Sequence, residues 1–322
     1  MLMLGRFVWV LLVGAAVLLA IAVMRYVPAQ EAQPVSSDQV ANDSDDTLRG
    51  SLDRGRLAGE ADHVELAPVA LDLGRWDTNE DGRRVWSGEE LEYQLRWQGV
   101  PAGRALLRVK SRHCFADEQG PEVWWVRLDV RSNRFLSLFF RIDGKAQSRI
   151  DVKGGFSRQY SRDQVEGPYI SKERVTFDYT LDKLEALYEY PAWHRLAVAS
   201  RGVEKTPWRK INVPLSGKVL DPLSAVYYLR GLDLKPGQEV VLPVLSDRRV
   251  WNTSVRVEAR ETLQWPGGEG SVECLRLRPE CRYNGLFERR GPVTLWVDAR
   301  SKVVVRMTAD TILGACEAWL ER

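Results

Sequence analysis

Residues 221–245, DPLSAVYYLRGLDLKPGQEVVLPVL, spell a capped helix, a turn and a buried strand in a chain that otherwise reads as strands. Asp221 is placed to cap the helix by accepting a first-turn amide, and Pro222 at the first helical position has no N–H to lose. Leu223, Val226 and Tyr227 fall three or four apart, so they form one apolar stripe suited to packing on a sheet. Gly231 is expected to stop the helix in the left-handed region, and Lys235-Pro236-Gly237 to turn the chain into the strand. Whatever the strands build must therefore leave room for one amphipathic helix.

Residues 90–97, ELEYQLRW, alternate with period two, which puts Leu91, Tyr93, Leu95 and Trp97 on one face and Glu90, Glu92, Gln94 and Arg96 on the other. Residues 99–103 read as a turn and 105–109 as the returning hairpin partner. Residues 122–131 are apolar on both faces around Trp124, so their second side needs a cover, either the far wall of a curled sheet or the Asp221 helix. Further strands are expected at 144–151, 156–164, 174–179, 238–245, 250–263, 272–278, 293–298, 303–308 and 315–320, whereas 184–190 fits helix or strand. This pattern points to a mainly β fold, a curved or closed, barrel-like antiparallel sheet with one packed helix. The regular strand–helix alternation of a doubly wound fold is missing.

Ahead of this domain, residues 7–24 run 18 positions without a charge between Arg6 and Arg25, long enough for a helix to cross a bilayer core. Residues 1–26 are thus expected to form a signal anchor, a transmembrane helix, with a long signal peptide cut near Ala20-Ile21-Ala22 as the alternative. The short Arg6 side stays in the cytoplasm and the rest is exported. Residues 27–75 carry 10 acidic and 4 basic side chains and few aromatics, the composition of an acidic flexible linker. Residues 76–322 then form the β-rich exported domain, with 40 basic and 34 acidic side chains. So modest an excess, spread along strands, reads as a solvated surface, and nucleic acid is not an expected partner.

Reactive chemistry is thinly represented. Cys114, Cys274, Cys281 and Cys316 are even in number and lie on the exported side, so one or two disulfides are expected. No metal site is expected, since the spacing from Cys274 to Cys281 is too long for a zinc knuckle, His113 beside Cys114 is not a ligand pair, and His63 and His194 stand alone. There is no G-x-S-x-G elbow, P-loop or dinucleotide fingerprint, and no catalytic residue or cofactor is assigned. Ser224 reads as a first-turn helix residue. Glu89 and Glu90 are neighbours that point to opposite faces of a strand and cannot make the facing pair of a glycosidase. Residues 135–140, FLSLFF, either plug the core at one end of the sheet or, if exposed, form an interaction patch.

Several separated stretches occur together in one order: SGEELEYQLRW from Ser87, the turn at 99–103 followed by Arg104-Ala105, DPLSAVYYLR, LKPGQEVVLPV, VECLRLRPE from Val272 and LWVDARSKVVVRM from Leu295. In these the chain resembles the bacterial exported family called domain of unknown function 3108 (DUF3108), through about residues 85–320. The resemblance implies a β-rich periplasmic domain, here on the bacterial inner membrane in a single pass, and brings no catalytic residues with it. Three functions follow as expectations. The first is a non-enzymatic binding or carrier module for an apolar or amphipathic envelope ligand such as a lipid, with Trp124, Phe135, Leu138, Phe139 and Tyr227 as candidate contacts. The second is an assembly protein docking an envelope protein through Arg and Trp side chains, since Arg supplies 36 of the 46 basic residues. The third is a hydrolase acting on cell-wall glycan.

Overall fold

The computed structural model describes residues 88–321 apart from 116–119, 139, 168, 181–182, 192–195, 198–206, 269, 281–292 and 312–313. The expected anchor and linker, Phe139, Cys281, His63 and His194 lie outside the described residues. Among the described residues, no helix is long and apolar enough to cross a membrane.

The elements run β1 (Glu90–Trp97), β2 (Val100–Cys114), β3 (Glu122–Ser132), α1 (Arg134–Ser137), β4 (Ile142–Asp151), β5 (Ser157–Glu166), β6 (Tyr169–Thr180), β7 (Lys183–Pro191), β8 (Leu196–Ala197) and β9 (Trp208–Pro214). After these come α2 (Pro222–Arg230), β10 (Glu239–Ser246), β11 (Arg249–Gln264), β12 (Ser271–Glu280), β13 (Val293–Asp298), β14 (Val304–Thr311) and β15 (Gly314–Leu320). All strands join one antiparallel sheet of order β10-β11-β12-β13-β14-β15-β1-β2-β3-β4-β5-β6-β7-β9, with β8 paired to β6. Two meanders are thus stitched where the last strand, β15, pairs with the first, β1.

The sheet is curved but not closed: β9 and β10 are its two ends. Closure would require those two to pair, and the chain between them instead carries α2. Leu220 bridges Val244 of β10 in parallel, with its amide on the Pro243 carbonyl at 2.9 Å, while the Val219 carbonyl accepts from Ser157 of β5 at 3.0 Å.

Alternation fixes the inner face. Leu107, Leu128 and Ala146 lie in register across β2, β3 and β4, and Val109, Val126, Ser148 and Tyr160 make the next row across β2 to β5; every one of these except Ser148 is an apolar or aromatic core residue. On β4 the inner positions Gly144, Ala146 and Ser148 are small, and α2 packs against β4 and β10. Small side chains there let a helix approach the sheet closely. Leu223, Tyr227, Tyr228 and Leu229 of α2 are all buried, and each leucine-sized side chain so covered contributes about 1.5–3 kcal/mol.

Local details depart from the sequence reading in three places. The β1–β2 turn is only Gln98-Gly99, both with positive φ of 48° and 78°, so 100–103 belong to β2. Gly103 is needed for close approach, because a Cβ there would lie 2.3 Å from the Arg131 carbonyl oxygen on β3. Gly103→Ala is expected to lower stability by about 1–3 kcal/mol in urea unfolding, since backbone and not a flexible side chain must move. Gly231 does sit at the C-cap of α2, yet at φ −78° and ψ −11° it is right-handed, and its amide bonds back to Tyr227 and Tyr228.

The expected disulfides do not form among Cys114, Cys274 and Cys316. Cys274 is in β12 and Cys316 in β15, with β13 and β14 between them, a separation of about 14 Å against the ~7 Å limit for a bridge. Cys316 faces Trp97 at the Val100 end of β2, and Cys114 is at the far end of that strand. Burial, with the nearby Asp298, Glu261 and Glu273 carboxylates, pushes the Cys274 thiol up to about 12, which leaves it inert at neutral pH.

Candidate functional site

The concave side is organised by α2, which is pinned at both ends by buried polar groups. At its N-terminus the Asp221 carboxylate accepts the Leu223 and Ser224 amides on Oδ1 at 2.8 and 3.0 Å. Oδ2 accepts the hydroxyls of Ser148 on β4 at 2.5 Å and Ser157 on β5 at 2.6 Å. Ser224 Oγ in turn accepts the Asp221 amide at 2.8 Å, completing a capping box. Burial raises the Asp221 pKa above the ordinary carboxylate range, and the hydroxyl and amide donors offset only part of that. Both oxygens are occupied by donors that build the fold, so the role read from sequence, a cap, is the one the geometry gives it.

The C-terminal end is held by charge. Arg230 grips Glu89 through Nη1 to Oε2 at 2.8 Å and Nη2 to Oε1 at 2.6 Å, and its Nε donates to the Lys302 carbonyl in the β13–β14 turn at 3.0 Å. The Tyr227 hydroxyl donates to the same carboxylate at 3.2 Å. Burial opposes the Arg230 charge, and Glu89 outweighs it by charge and hydrogen bonding, so the guanidinium pKa ends above its usual value. Burial also raises the Tyr227 hydroxyl, with Glu89 adding to it. Glu89 therefore faces inward and is consumed by the helix, while Glu90 faces outward to Arg108 at 3.3 Å. The two carboxylates stand on opposite faces, as neighbouring strand residues must.

A third polar group lines the inner face of β5 to β7. Arg162 Nη2 and Glu173 Oε1 are 2.9 Å apart with both side chains buried, and the Tyr188 hydroxyl donates to Glu173. Gln164 is buried beside them. Sequence reasoning missed this group, though its signal was present: Tyr160, Arg162 and Gln164 share one phase of β5, and Tyr160 had to face in. The apolar cavity between α2 and β12 to β14, lined by Val226, Leu229, Leu277, Leu295, Val297 and Val304 among others, has a volume of about 10 Å³. That is room for about one water, far below the ~300 Å³ of a small-ligand pocket.

The candidate contact residues separate into two groups. Trp124 is 0% exposed and Tyr227 1%, both packed in the core. Phe135 on α1 and Leu138 at its C-cap, by contrast, are 66% and 78% exposed, and Val100 is 56% exposed in β2 next to the turn. Among the described residues of that stretch Leu136 is buried and Phe140 half-buried, so the plug reading of 135–140 holds for those two residues. Arg and Trp side chains on the outer face are in part engaged with the sheet itself: Arg276 pairs with Glu258 at 2.9 Å, and Arg306 lies over the rings of Trp296 and Trp319 at 4.7 and 4.9 Å.

Comparison with solved structures returns distant resemblance. A beta-barrel-like protein of the domain of unknown function DUF1849 from Brucella abortus is 10% identical, with a TM-score of 0.43, covering 72% of this chain and 95% of its own. A putative lipoprotein from Parabacteroides distasonis is 8% identical, with a TM-score of 0.23, covering 74% of this chain and 97% of its own. No curated protein matches the sequence. The family described as "Protein of unknown function (DUF3108)" matches residues 92–317, most of the domain from β1 to β15. The chain belongs to that family.

Proposed function

We propose that the chain is a non-enzymatic binding module of the bacterial envelope, held at the inner membrane by residues 7–24 with its sheet domain in the periplasm, and that it meets an apolar or amphipathic ligand at its surface. The observation carrying this reading is the seating of α2 on the concave side: both ends of the helix are bonded down, and the cavity between it and β12 to β14 is about 10 Å³. Among the described residues the most exposed large apolar side chains are instead those of Phe135 and Leu138 at one end of the sheet, with Val100 beside them, ahead of Leu184, Trp208 and Val241. Among the described residues, the buried carboxylates Glu89, Asp151, Glu173 and Asp221, on which an enzyme would draw, are each committed to structural partners.

Two measurements test it. Exposed Cys114 reports sidedness: in spheroplasts a membrane-impermeant maleimide is expected to label it without lysis, and labelling only after lysis contradicts the periplasmic placement. A photo-crosslinker in place of Leu138 is expected to form more adducts in intact envelopes than one in place of exposed Asn212 on β9. Lipid adducts support the amphipathic ligand, a single protein adduct supports the assembly reading, and equal labelling at both positions contradicts surface binding at this end.

A further inference from the structure

The end of the sheet that carries α1 is built to be held rigid while its apolar side chains stay wet. Asn133 caps α1 by accepting the Leu136 amide at 2.7 Å, and its own Nδ2 and backbone amide donate to the Pro101 and Ala102 carbonyls at 2.6 and 2.8 Å. The Ser132 and Ser137 hydroxyls bond at 2.7 Å, Ser137 Oγ reaches the Asn133 carbonyl at 2.7 Å, and Ser132 Oγ accepts the Ile142 amide at 2.9 Å. This network ties the β1–β2 end to the β3–β4 connection and aims Phe135, Leu138 and Val100 outward together. A loop whose large apolar residues merely failed to find the core would not be fastened by this many bonds.

Three arginines ring the same end. Arg131 and Arg141 have side chains 71% and 63% exposed, and Arg134 is exposed at the start of α1. Asp143 is set against two of them, at 3.9 Å from Arg131 and 3.0 Å from Arg141, so one carboxylate is shared between two guanidinium groups. The rim therefore carries a positive excess around a protruding apolar tip. Phenylalanine and leucine at a tip partition into the acyl boundary of a bilayer while arginines at their level meet the phosphates.

We infer that this end is a docking surface for an anionic phospholipid bilayer, with Phe135, Leu138 and Val100 entering the interface and Arg131, Arg134 and Arg141 on the headgroups. The proposal gives the surface ligand of the preceding section its chemical class and rests on that reading. Charge complementarity chooses this occupant: an uncharged apolar partner gives the arginine rim nothing to meet, and a zwitterionic surface gives it little.

The test uses the full chain with vesicles containing about one third phosphatidylglycerol or of phosphatidylcholine alone. Hydrogen exchange at the amides of residues 135–138 reads the tip, and vesicle flotation reads attachment by any route. Expected is slowed exchange at 135–138 with the anionic vesicles only, weakening as salt rises, because exposed charges are screened. Arg134→Glu is expected to weaken tip protection roughly tenfold in lipid titration, and Phe135→Ser with Leu138→Ser to abolish it. All three positions are exposed, so thermal unfolding should be unchanged in both variants. Equal exchange at 135–138 in both lipids, or protection that survives Phe135→Ser with Leu138→Ser, overturns the proposal, as does protection that requires an added envelope protein. Flotation with both vesicles but no protection at 135–138 in either overturns the tip and leaves the anchor of the preceding section standing. Flotation with the anionic vesicles only, together with protection at 135–138, counts against the anchor and not against the tip, and failure to float with either overturns both.

Discussion

Glu89→Ala is expected to destabilise the domain by about 3–5 kcal/mol, because it leaves the Arg230 guanidinium in an apolar interior without its carboxylate. Arg230 is 2% and Glu89 9% exposed, so water cannot step in to replace the lost partner. The Tyr227 hydroxyl loses its acceptor as well. Removing both charges is a different experiment: Glu89→Gln combined with Arg230→Met keeps an acceptor for Tyr227 and fills much of the volume. That double variant is expected to recover most of the loss, since the attraction within a buried pair is largely offset by the cost of desolvating it. Urea unfolding of the wild type, the single and the double variant makes the comparison. A double variant as unstable as the single one contradicts the assignment of the loss to a stranded charge.

Asp221→Ala is the second large effect, and it acts at the other end of the same helix. It removes an N-cap, typically worth about 1 kcal/mol, and takes the acceptor from the buried Ser148 hydroxyl, which costs about 1–3 kcal/mol, whereas the Ser157 hydroxyl keeps Ser224 Oγ at 2.7 Å. A total of roughly 3 kcal/mol is expected in chemical denaturation. The pH dependence separates charge from cap. Burial raises the Asp221 pKa in the fold, so its contribution is fully present below the unfolded value of about 3.9 and is lost as pH rises through the folded value. Asp221→Asn keeps an acceptor but does not titrate in this range. The stability gap between wild type and Asp221→Asn is accordingly expected to widen on acidification from neutral pH. A gap that closes on acidification would mean that the ionised form is the one the fold favours.

Much of this architecture was legible in the sequence, and the misses share physical causes. Strand β1 falls where alternation puts it because one face is apolar and the other meets solvent, and β13 lies at the expected bounds, 293–298, as a strand-like run between turns. The helix is bounded by Asp221 and Gly231, with Pro222 at its first position. Ambiguity at 184–190 came from Leu184 and Leu187, which lend a helical spacing to a strand whose buried positions are Ala186, Tyr188 and Pro191. Strand β9 was not seen at all: among WRKINVP only Val213 is buried, so an end strand carries no period for sequence to show. Nor does a sequence say whether a curved sheet closes. That depends on whether residues 215–238 lie outside it or enter it, and they enter it with α2.

The buried polar groups were the harder part. Asp221 was read as a cap, but its two serine partners are 73 and 64 residues away in sequence. Glu89 and Arg230 are 141 residues apart, and nothing local links them. The tip at 135–140 was read as plug or patch, and its outcome depended on Asn133 reaching Pro101 and Ala102 across β2 and β3. Such long-range bonds are visible only once the register is known.

The central claim is that α2 is a fixed part of the interior, so the domain works from its surface. Native-state hydrogen exchange at the amides of residues 225–230 tests it most directly. The account predicts that these amides exchange only through global unfolding, with the same opening free energy and denaturant dependence as the central strands β2 and β3. Exchange at a far lower free energy, with little exposure of surface, would mean that the helix lifts out by itself and uncovers a cavity, and a carrier with an internal site would then replace the surface module described above.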